Sequence, residues 1–197
     1  MKFDDGKVVR GTANEIAESM LIGSRPLIES GSHNMLVYND LDDLRQIFAD
    51  YAKTFLPKGE VIIFGIQYDN ARGVERFLQN SGTDVSRHLS DGTLVIVDAQ
   101  ERYQGADAHD AVKFVMNILS RAKEEKRRGL TFLGDIGSFF SFDRICDFVD
   151  FELFYPARFG ENMMKSVCCY HREDFKNLDK NQQETLINHH FKTIFVE

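Results

Sequence analysis

An acidic turn occupies the position where a nucleotide-binding protein would hold phosphate. The apolar run at 34–38 predicts a short buried strand, and 41–55 predicts the helix that follows it. Proteins that bind nucleoside triphosphates place a glycine-rich loop with Lys and Ser or Thr at such a junction, where backbone N–H groups and an ammonium hold the phosphates. Here the junction reads Asn39-Asp40-Leu41-Asp42-Asp43, and its three aspartates would repel a polyphosphate. The turn therefore favours sensing or binding over phosphate chemistry.

Aspartates also follow two of the apolar runs, in Val95-Ile-Val-Asp98 and Thr131-Phe-Leu-Gly-Asp135. An apolar strand that ends in Asp often holds Mg²⁺ beside a nucleotide, and the carboxyl ends of parallel strands line ligand crevices. Asp is equally a preferred helix-capping residue, so a lining role and a capping role both stay open. A magnesium–nucleotide site that uses Asp69, Asp98 and Asp135 is a further hypothesis for function. It ranks second because the phosphate loop is missing.

Cysteine and histidine are concentrated near the C-terminal end, in Cys168-Cys169-Tyr170-His171 and the pair His189-His190, with Cys146 upstream. Structural zinc sites prefer spaced pairs, and adjacent cysteines cannot easily face one ion, so the spacing predicts neither a metal nor another cofactor. A cysteine nucleophile would need a histidine within reach, and no catalytic residue is predicted. Four candidates, His33, Glu152, Cys168 and His190, lie beside separate elements, and their convergence on one pocket is left open.

Strand and helix patterns alternate from residue 32 onward, which is typical of βαβ units with a buried, largely parallel sheet. Strands are predicted at 34–38, 60–66, 94–98, 130–134, 165–170 and 192–196, and helices at 41–55, 69–79 and 111–122. Residues 1–30 are polar and mixed, and we interpret them as a partly helical N-terminal extension before one domain at 31–197. The fold class is therefore α/β, a single three-layer domain with a mostly parallel central sheet.

Composition narrows the function classes. The 197 residues suit one domain with a substantial core, and the net charge of -7 argues against a broad nucleic-acid surface, which needs a basic face. No apolar run approaches the length of a membrane span, and the first residues contain no signal core, so we expect a cytoplasmic protein without membrane contact. The odd number of cysteines, three, favours reduced thiols.

From His33 onward the chain resembles the MEDS or DcmR-like sensory domain, of the stand-alone archaeal type. The resemblance depends on the order of many short matches: His33-Asn-Met-Leu-Val-Tyr38, Gly59-Glu60, Gly82-Thr-Asp-Val85, Gly92-Thr-Leu94, Tyr103, Gly129-Leu130, Phe151-Glu152, Cys168-Cys-Tyr170 and Asp174-Phe175. The family's late His-Pro corresponds to His189 or His190, neither of which precedes Pro. Asp69, after Tyr68, stands where many members have Glu.

The resemblance extends to RecA-like and KaiC-like ATPases, with the phosphate loop absent and Asp135 at a position similar to a Walker B aspartate. It implies a non-catalytic sensory module, whose ligand we expect at the carboxyl ends of the strands. The expected ligand-binding residues are His33, Tyr38, Tyr68, Asp69, Asp135, Glu152, Cys168 and His190.

The expected partners are an unknown small molecule and possibly a signalling protein or further copies of the chain. Two alternatives to a sensory module remain: a degenerate KaiC-like nucleotide binder or weak ATPase, and a pure interaction or oligomerisation scaffold. A redox sensor that uses Cys168 or Cys169 is a smaller option.

Overall fold

An eight-stranded sheet forms the centre of the computed structural model, which describes residues 2–4, 7–16, 28–99, 101, 108–141, 152–153, 157–158 and 163–197. The strands are β1 (Lys2–Asp4), β2 (Val8–Gly11), β3 (His33–Tyr38), β4 (Glu60–Ile66), β5 (Leu94–Asp98), β6 (Gly129–Asp135), β7 (Met164–His171) and β8 (Thr193–Val196). Their order across the sheet is β1-β2-β8-β3-β7-β6-β4-β5. Strands β2 to β8 are parallel, and β1 pairs antiparallel with β2 at the edge.

The central strands are buried along nearly their whole length because helices cover both of their faces. Every residue of β3 and β4 is buried, as are the first seven residues of β7. The described helices are α1 (Leu41–Phe55), α2 (Ala71–Asn80), α3 (Val85–Ser90), α4 (Ala108–Glu124), α5 (Ser138–Ser141), α6 (Arg172–Asn177) and α7 (Lys180–His189). This is the predicted single α/β domain in three layers.

Strand alternation assigns each side chain to one of two faces. The first face packs against α1, α2 and α3, and its core contains Leu36, Tyr38 and Cys169. The second face packs against α4, α6 and α7, and its core contains Met35 and Cys168. Neighbouring residues of one strand, such as Cys168 and Cys169, therefore belong to different cores.

The six predicted strands are all present, and α1 has the predicted bounds. Strands β1 and β2, by contrast, were not predicted. They lie within the polar N-terminal extension, where Val8–Gly11 pairs with β8 from Thr193 to Val196. A three- or four-residue strand carries little periodicity of its own, and pairing with a distant strand determines its conformation.

Candidate functional site

The chain leaves the sheet in opposite directions after two neighbouring strands, β3 and β7. Tyr38 ends β3 and His171 ends β7, and the two residues are paired in register. The helix after Tyr38 covers the first face, whereas the helices after His171 cover the second. Open α/β sheets bind ligands at such a switch point, outside the carboxyl ends of the strands. We call the space between these ends the switch crevice.

A buried carboxyl group, Asp135, stands at the base of the switch crevice. It ends β6, next to β7, and is 4% exposed. Its carboxylate accepts hydrogen bonds from Tyr38 Oη at 2.9 Å, from the backbone N–H of Gly137 at 3.1 Å and from that of Tyr68 at 3.4 Å. Burial raises the pKa of Asp135 to about 6, although these hydrogen bonds act in the opposite direction. Asp135 therefore changes charge near neutral pH.

Tyr68 connects this buried group to solvent. Its side chain is 38% exposed, and its Oη donates to Asp174 Oδ2 at 2.7 Å. The ring of His171 lies 5.8 Å from the ring of Tyr68 and 5.4 Å from that of Tyr38, measured between centroids. Burial raises the pKa of Asp174, opposed by the Tyr68 hydrogen bond. The crevice thus combines two phenols, an imidazole and two carboxyl groups.

Asp69 contributes to an ion pair at this edge of the sheet. Arg45 donates to both of its carboxylate oxygens, from Nε at 2.7 Å and from Nη2 at 2.9 Å. Burial alone would raise the pKa of Asp69, but the hydrogen bonds from Arg45 and from the Asn70 N–H lower it. The same guanidinium contacts Asp42 at 3.2 Å. Arg45 and Asp69 are therefore engaged with each other, and they hold α1 against the end of β4.

The acidic turn between β3 and α1 is a helix cap. Asp40 precedes α1, and its Oδ1 accepts hydrogen bonds from the backbone N–H groups of Asp42 and Asp43, both at 3.0 Å. Asp43 in turn accepts a hydrogen bond from Asn39 Nδ2 at 3.1 Å. The first N–H groups of α1, which could bind a phosphate, thus already bind a carboxylate.

The strand-end aspartates differ in role. Asp98 Oδ1 accepts a hydrogen bond from the backbone N–H of Glu101 at 3.1 Å, which is the capping alternative. Asp135 combines a turn hydrogen bond to Gly137 with a position in the crevice. Across the described ranges, Asp69, Asp98 and Asp135 do not form a group of potential metal ligands.

A second group of predicted residues converges elsewhere. The side chains of His33, Glu152, Cys168 and His190 meet on the second face, and we call them the buried quartet. His33 Nε2 lies 3.2 Å from Cys168 Sγ and 3.5 Å from Glu152 Oε2, and His190 Nε2 lies 3.1 Å from the same Glu152 oxygen. None of the four is more than 2% exposed. The sequence left this convergence open, and the fold provides it.

Local structure explains how the buried quartet is positioned. His33 begins β3. Cys168, on the adjacent strand β7, is paired in register with Met35, which lies two residues after His33 on β3. His190 is the C-cap residue of α7, where its Nδ1 donates to the Leu186 carbonyl at 2.8 Å. His190, and not the partly exposed His189, is the histidine that joins the quartet.

Electrostatics within the quartet favour an ionised carboxylate beside a neutral thiol. Burial would raise the pKa of Glu152, but the hydrogen bond and charge of His190 lower it. Burial and the Glu152 charge both raise the pKa of the Cys168 thiol well above its usual value. Cys168 is consequently unreactive as a nucleophile in this state, because the thiolate is the nucleophilic form.

A third polar group was not predicted from the sequence. Lys165 Nζ lies 2.6 Å from Glu60 Oε1 and donates to Tyr51 Oη at 3.2 Å. Glu60 also accepts a hydrogen bond from Thr131, whose hydroxyl contacts Tyr51 Oη at 2.7 Å. Both charges are satisfied inside the first-face core, which indicates a structural role. Glu60, Thr131 and Lys165 lie on the neighbouring strands β4, β6 and β7, and the strand register brings their side chains together.

The predicted ligand-binding residues thus separate into two places. Tyr38, Tyr68 and Asp135 are joined by hydrogen bonds at the switch point, with Asp69 in the neighbouring ion pair. The buried quartet lies on the other face of the sheet, so Tyr38 is not part of it. His171 and Asp174 were missed as crevice residues. The available signal was that His171 directly follows the predicted strand 165–170, just as Tyr38 ends the predicted strand 34–38.

The fold and these sites define a doubly wound α/β domain with polar groups at its switch point and inside its core. The chain belongs to the MEDS family, the methanogen/methylotroph, DcmR sensory domain, whose profile matches residues 32–190. No curated protein matches the chain. None of the described helices has both the length and the apolar character needed to cross a bilayer.

Proposed function

We propose that this protein is a non-catalytic cytoplasmic sensory module that binds a small molecule in the switch crevice and passes the change to another protein. The observation that carries the proposal is the position of Asp135, a buried carboxyl group linked through Tyr38 and Tyr68 to the solvent edge of the crevice. Membership of a sensory-domain family supports the same role.

The crevice chemistry favours a small, uncharged polar ligand. The rings of Tyr68 and His171 offer apolar surface, and their polar atoms can orient a hydroxyl, amide or amine. The carboxyl groups of Asp135 and Asp174 disfavour an anion. Phosphate is further disfavoured by the Asp40 cap on the nearest helix N-terminus, which already uses the N–H groups that would bind it.

A ligand panel tests the proposal. Thermal unfolding of the full chain would be measured with small alcohols, amines, amides and other one- to four-carbon derivatives, and with Mg-ATP. We expect at least one neutral compound to raise Tm, and its effect to disappear in Tyr68→Ala and Asp135→Asn. Met116→Ala, at an exposed position on α4, is the matched surface control and should keep the full shift.

Two results would overturn the proposal. Tight Mg-ATP binding or measurable ATP hydrolysis would favour the degenerate nucleotide-binding alternative. Absence of any shift, together with concentration-dependent self-association in light scattering, would favour an interaction scaffold. The relation to RecA-like and KaiC-like proteins and the stand-alone archaeal type remain predictions.

A further inference from the structure

We infer that the buried quartet is a transition-metal site, in which His33 Nε2, Glu152 Oε2, Cys168 Sγ and His190 Nε2 hold one divalent ion of the Zn²⁺ class. The site lies on the second face of the sheet, apart from the switch crevice and independent of the function proposed for it. Linear spacing predicted no metal, because the four donors come from widely separated parts of the chain.

The spacing of the donor atoms matches a four-coordinate ion. Zinc bonds of about 2.0–2.3 Å to N, O and S place tetrahedral ligands about 3.3–3.6 Å apart. The recorded separations within the quartet are 3.1, 3.2 and 3.5 Å, and all four donor atoms lie within 4.8 Å of one another. A hydrogen-bonded pair needs one short distance, whereas a shared ion requires every donor to be close to every other.

The orientation of His190 gives a second, independent argument. A backbone carbonyl only accepts, so the 2.8 Å contact from Nδ1 to the Leu186 oxygen places a hydrogen on Nδ1. Metal-binding histidines usually donate their other ring nitrogen to a carbonyl or carboxylate in this way. The remaining nitrogen, Nε2, then faces Glu152 Oε2 at 3.1 Å. Two lone pairs at that distance require a cation between them, either a proton or a metal.

Charge balance selects a divalent ion. A thiolate from Cys168 and a carboxylate from Glu152 together carry a charge of -2, and two neutral imidazoles add none. A divalent ion makes the whole group neutral, which suits residues that are at most 2% exposed. Thiolate and imidazole ligands favour zinc over magnesium or calcium, which prefer oxygen. Because four protein donors fill a tetrahedron, the site resembles a closed, structural one.

Cobalt provides the first test, with the full chain stripped by a strong chelator and titrated with Co²⁺ alone. We expect one equivalent to bind, with intense visible bands from tetrahedral geometry and a near-ultraviolet thiolate-to-cobalt band. Zn²⁺ should displace the cobalt one for one. Zn²⁺ alone should raise Tm by about 5–10 °C at a free concentration one hundred times its Kd.

Cysteine variants assign the thiolate. The chain has three cysteines, so the double variant Cys146→Ala/Cys169→Ala leaves Cys168 as its one thiol and should keep the thiolate–cobalt band. Cys168→Ala should lose the band and weaken zinc binding by at least about 100-fold, more than removal of an outer-shell partner costs. Cys169→Ala, at the adjacent buried thiol on the opposite face, is its matched control.

The inference fails if the wild-type chain binds less than one equivalent or shows cobalt bands without a thiolate contribution. It also fails if the double variant loses the band while circular dichroism shows it to be folded. Zinc binding that survives Cys168→Ala unchanged would indicate adventitious surface binding and would overturn the assignment. The wild type and the double variant decide the matter even if Cys168→Ala does not fold.

Discussion

Replacing Asp135 by Asn is expected to remove a pH-dependent component of stability. The pKa of Asp135 is about 6 in the folded protein, against 3.8 for the ordinary carboxyl group. Between these values the folded state binds a proton that the unfolded state has released. The contribution of Asp135 to stability is therefore complete below the unfolded pKa and is lost as pH rises through about 6.

The linkage relation gives the size of the effect. The full difference of about 2 pKa units corresponds to about 3 kcal/mol, and the part lost between pH 5 and pH 8 is about 1.4 kcal/mol. Groups around Asp135 are Tyr38 on β3, Tyr68 after β4, Cys169 on β7 and Asp174 on α6. Asp174 carries like charge and contributes to the raised pKa of Asp135, so the two carboxyl groups titrate together in part.

Urea unfolding at pH 5, 6, 7 and 8 measures this contribution. The quantity of interest is the free energy of unfolding of the wild type minus that of Asp135→Asn at each pH, because other titrating groups cancel in the difference. We expect this difference to fall by about 1.4 kcal/mol from pH 5 to pH 8. Asp98→Asn, at the end of β5, is the matched control and should leave the pH profile of the wild type in place.

Parallel pH profiles for the wild type and Asp135→Asn would refute the reasoning, because they would mean that burial does not raise the pKa. A difference that grows with pH would refute it more strongly. That sign belongs to a carboxylate held ionised by its hydrogen bonds, with a lowered pKa.

Three further outcomes are expected from urea unfolding and structure determination. Lys165→Met should lose about 3–5 kcal/mol, because Glu60 keeps a buried charge without its partner, and Lys165→Met/Glu60→Gln should recover part of that loss. Asp40→Ala should lose about 1 kcal/mol, as the first N–H groups of α1 lose their acceptor. Gly137→Ala would place a Cβ 2.4 Å from the Tyr68 ring, so the partly exposed ring should turn away and release Asp174, as a crystal structure of the variant would show.

Each of these has a contrary result. Equal losses for the single and double variants would mean that Lys165 acts through packing and not through its charge. An unchanged free energy in Asp40→Ala would mean that water replaces the cap without cost. A Tyr68 ring that stays on Asp174 in Gly137→Ala would mean that the backbone at Gly137 yields more easily than the ring.

The fold was predictable to the extent that each strand carries its own pattern. A continuous apolar run such as Val61-Ile-Ile-Phe64 in β4 identifies a buried parallel strand, because helices cover both of its faces. β1 and β2 were not predictable, because β2 pairs with β8 from the other end of the chain and β1 pairs with β2. The predicted extension shows how a short segment with mixed composition can still complete a sheet edge.

The candidate sites were predictable by residue but not by arrangement. Period-two alternation within β3 alone places His33 and Tyr38, five residues apart, on opposite faces, and this signal could have separated the two sites. The order of strands could not be read from the sequence. Only that order puts β7 beside β3, and hence Cys168 beside His33 and His171 beside Tyr38.

The acidic turn after β3 combines two properties in the same residues. A helix N-terminus presents N–H groups that a bound anion or a capping side chain can satisfy, but both cannot occupy the same groups. Asp40 supplies the carboxylate internally, and Arg45, one turn further along α1, is held by Asp69 and Asp42. The carboxylate that starts α1 thus occupies the N–H groups that a phosphate would use, so building an anion site there would require a new helix cap as well as a new cation.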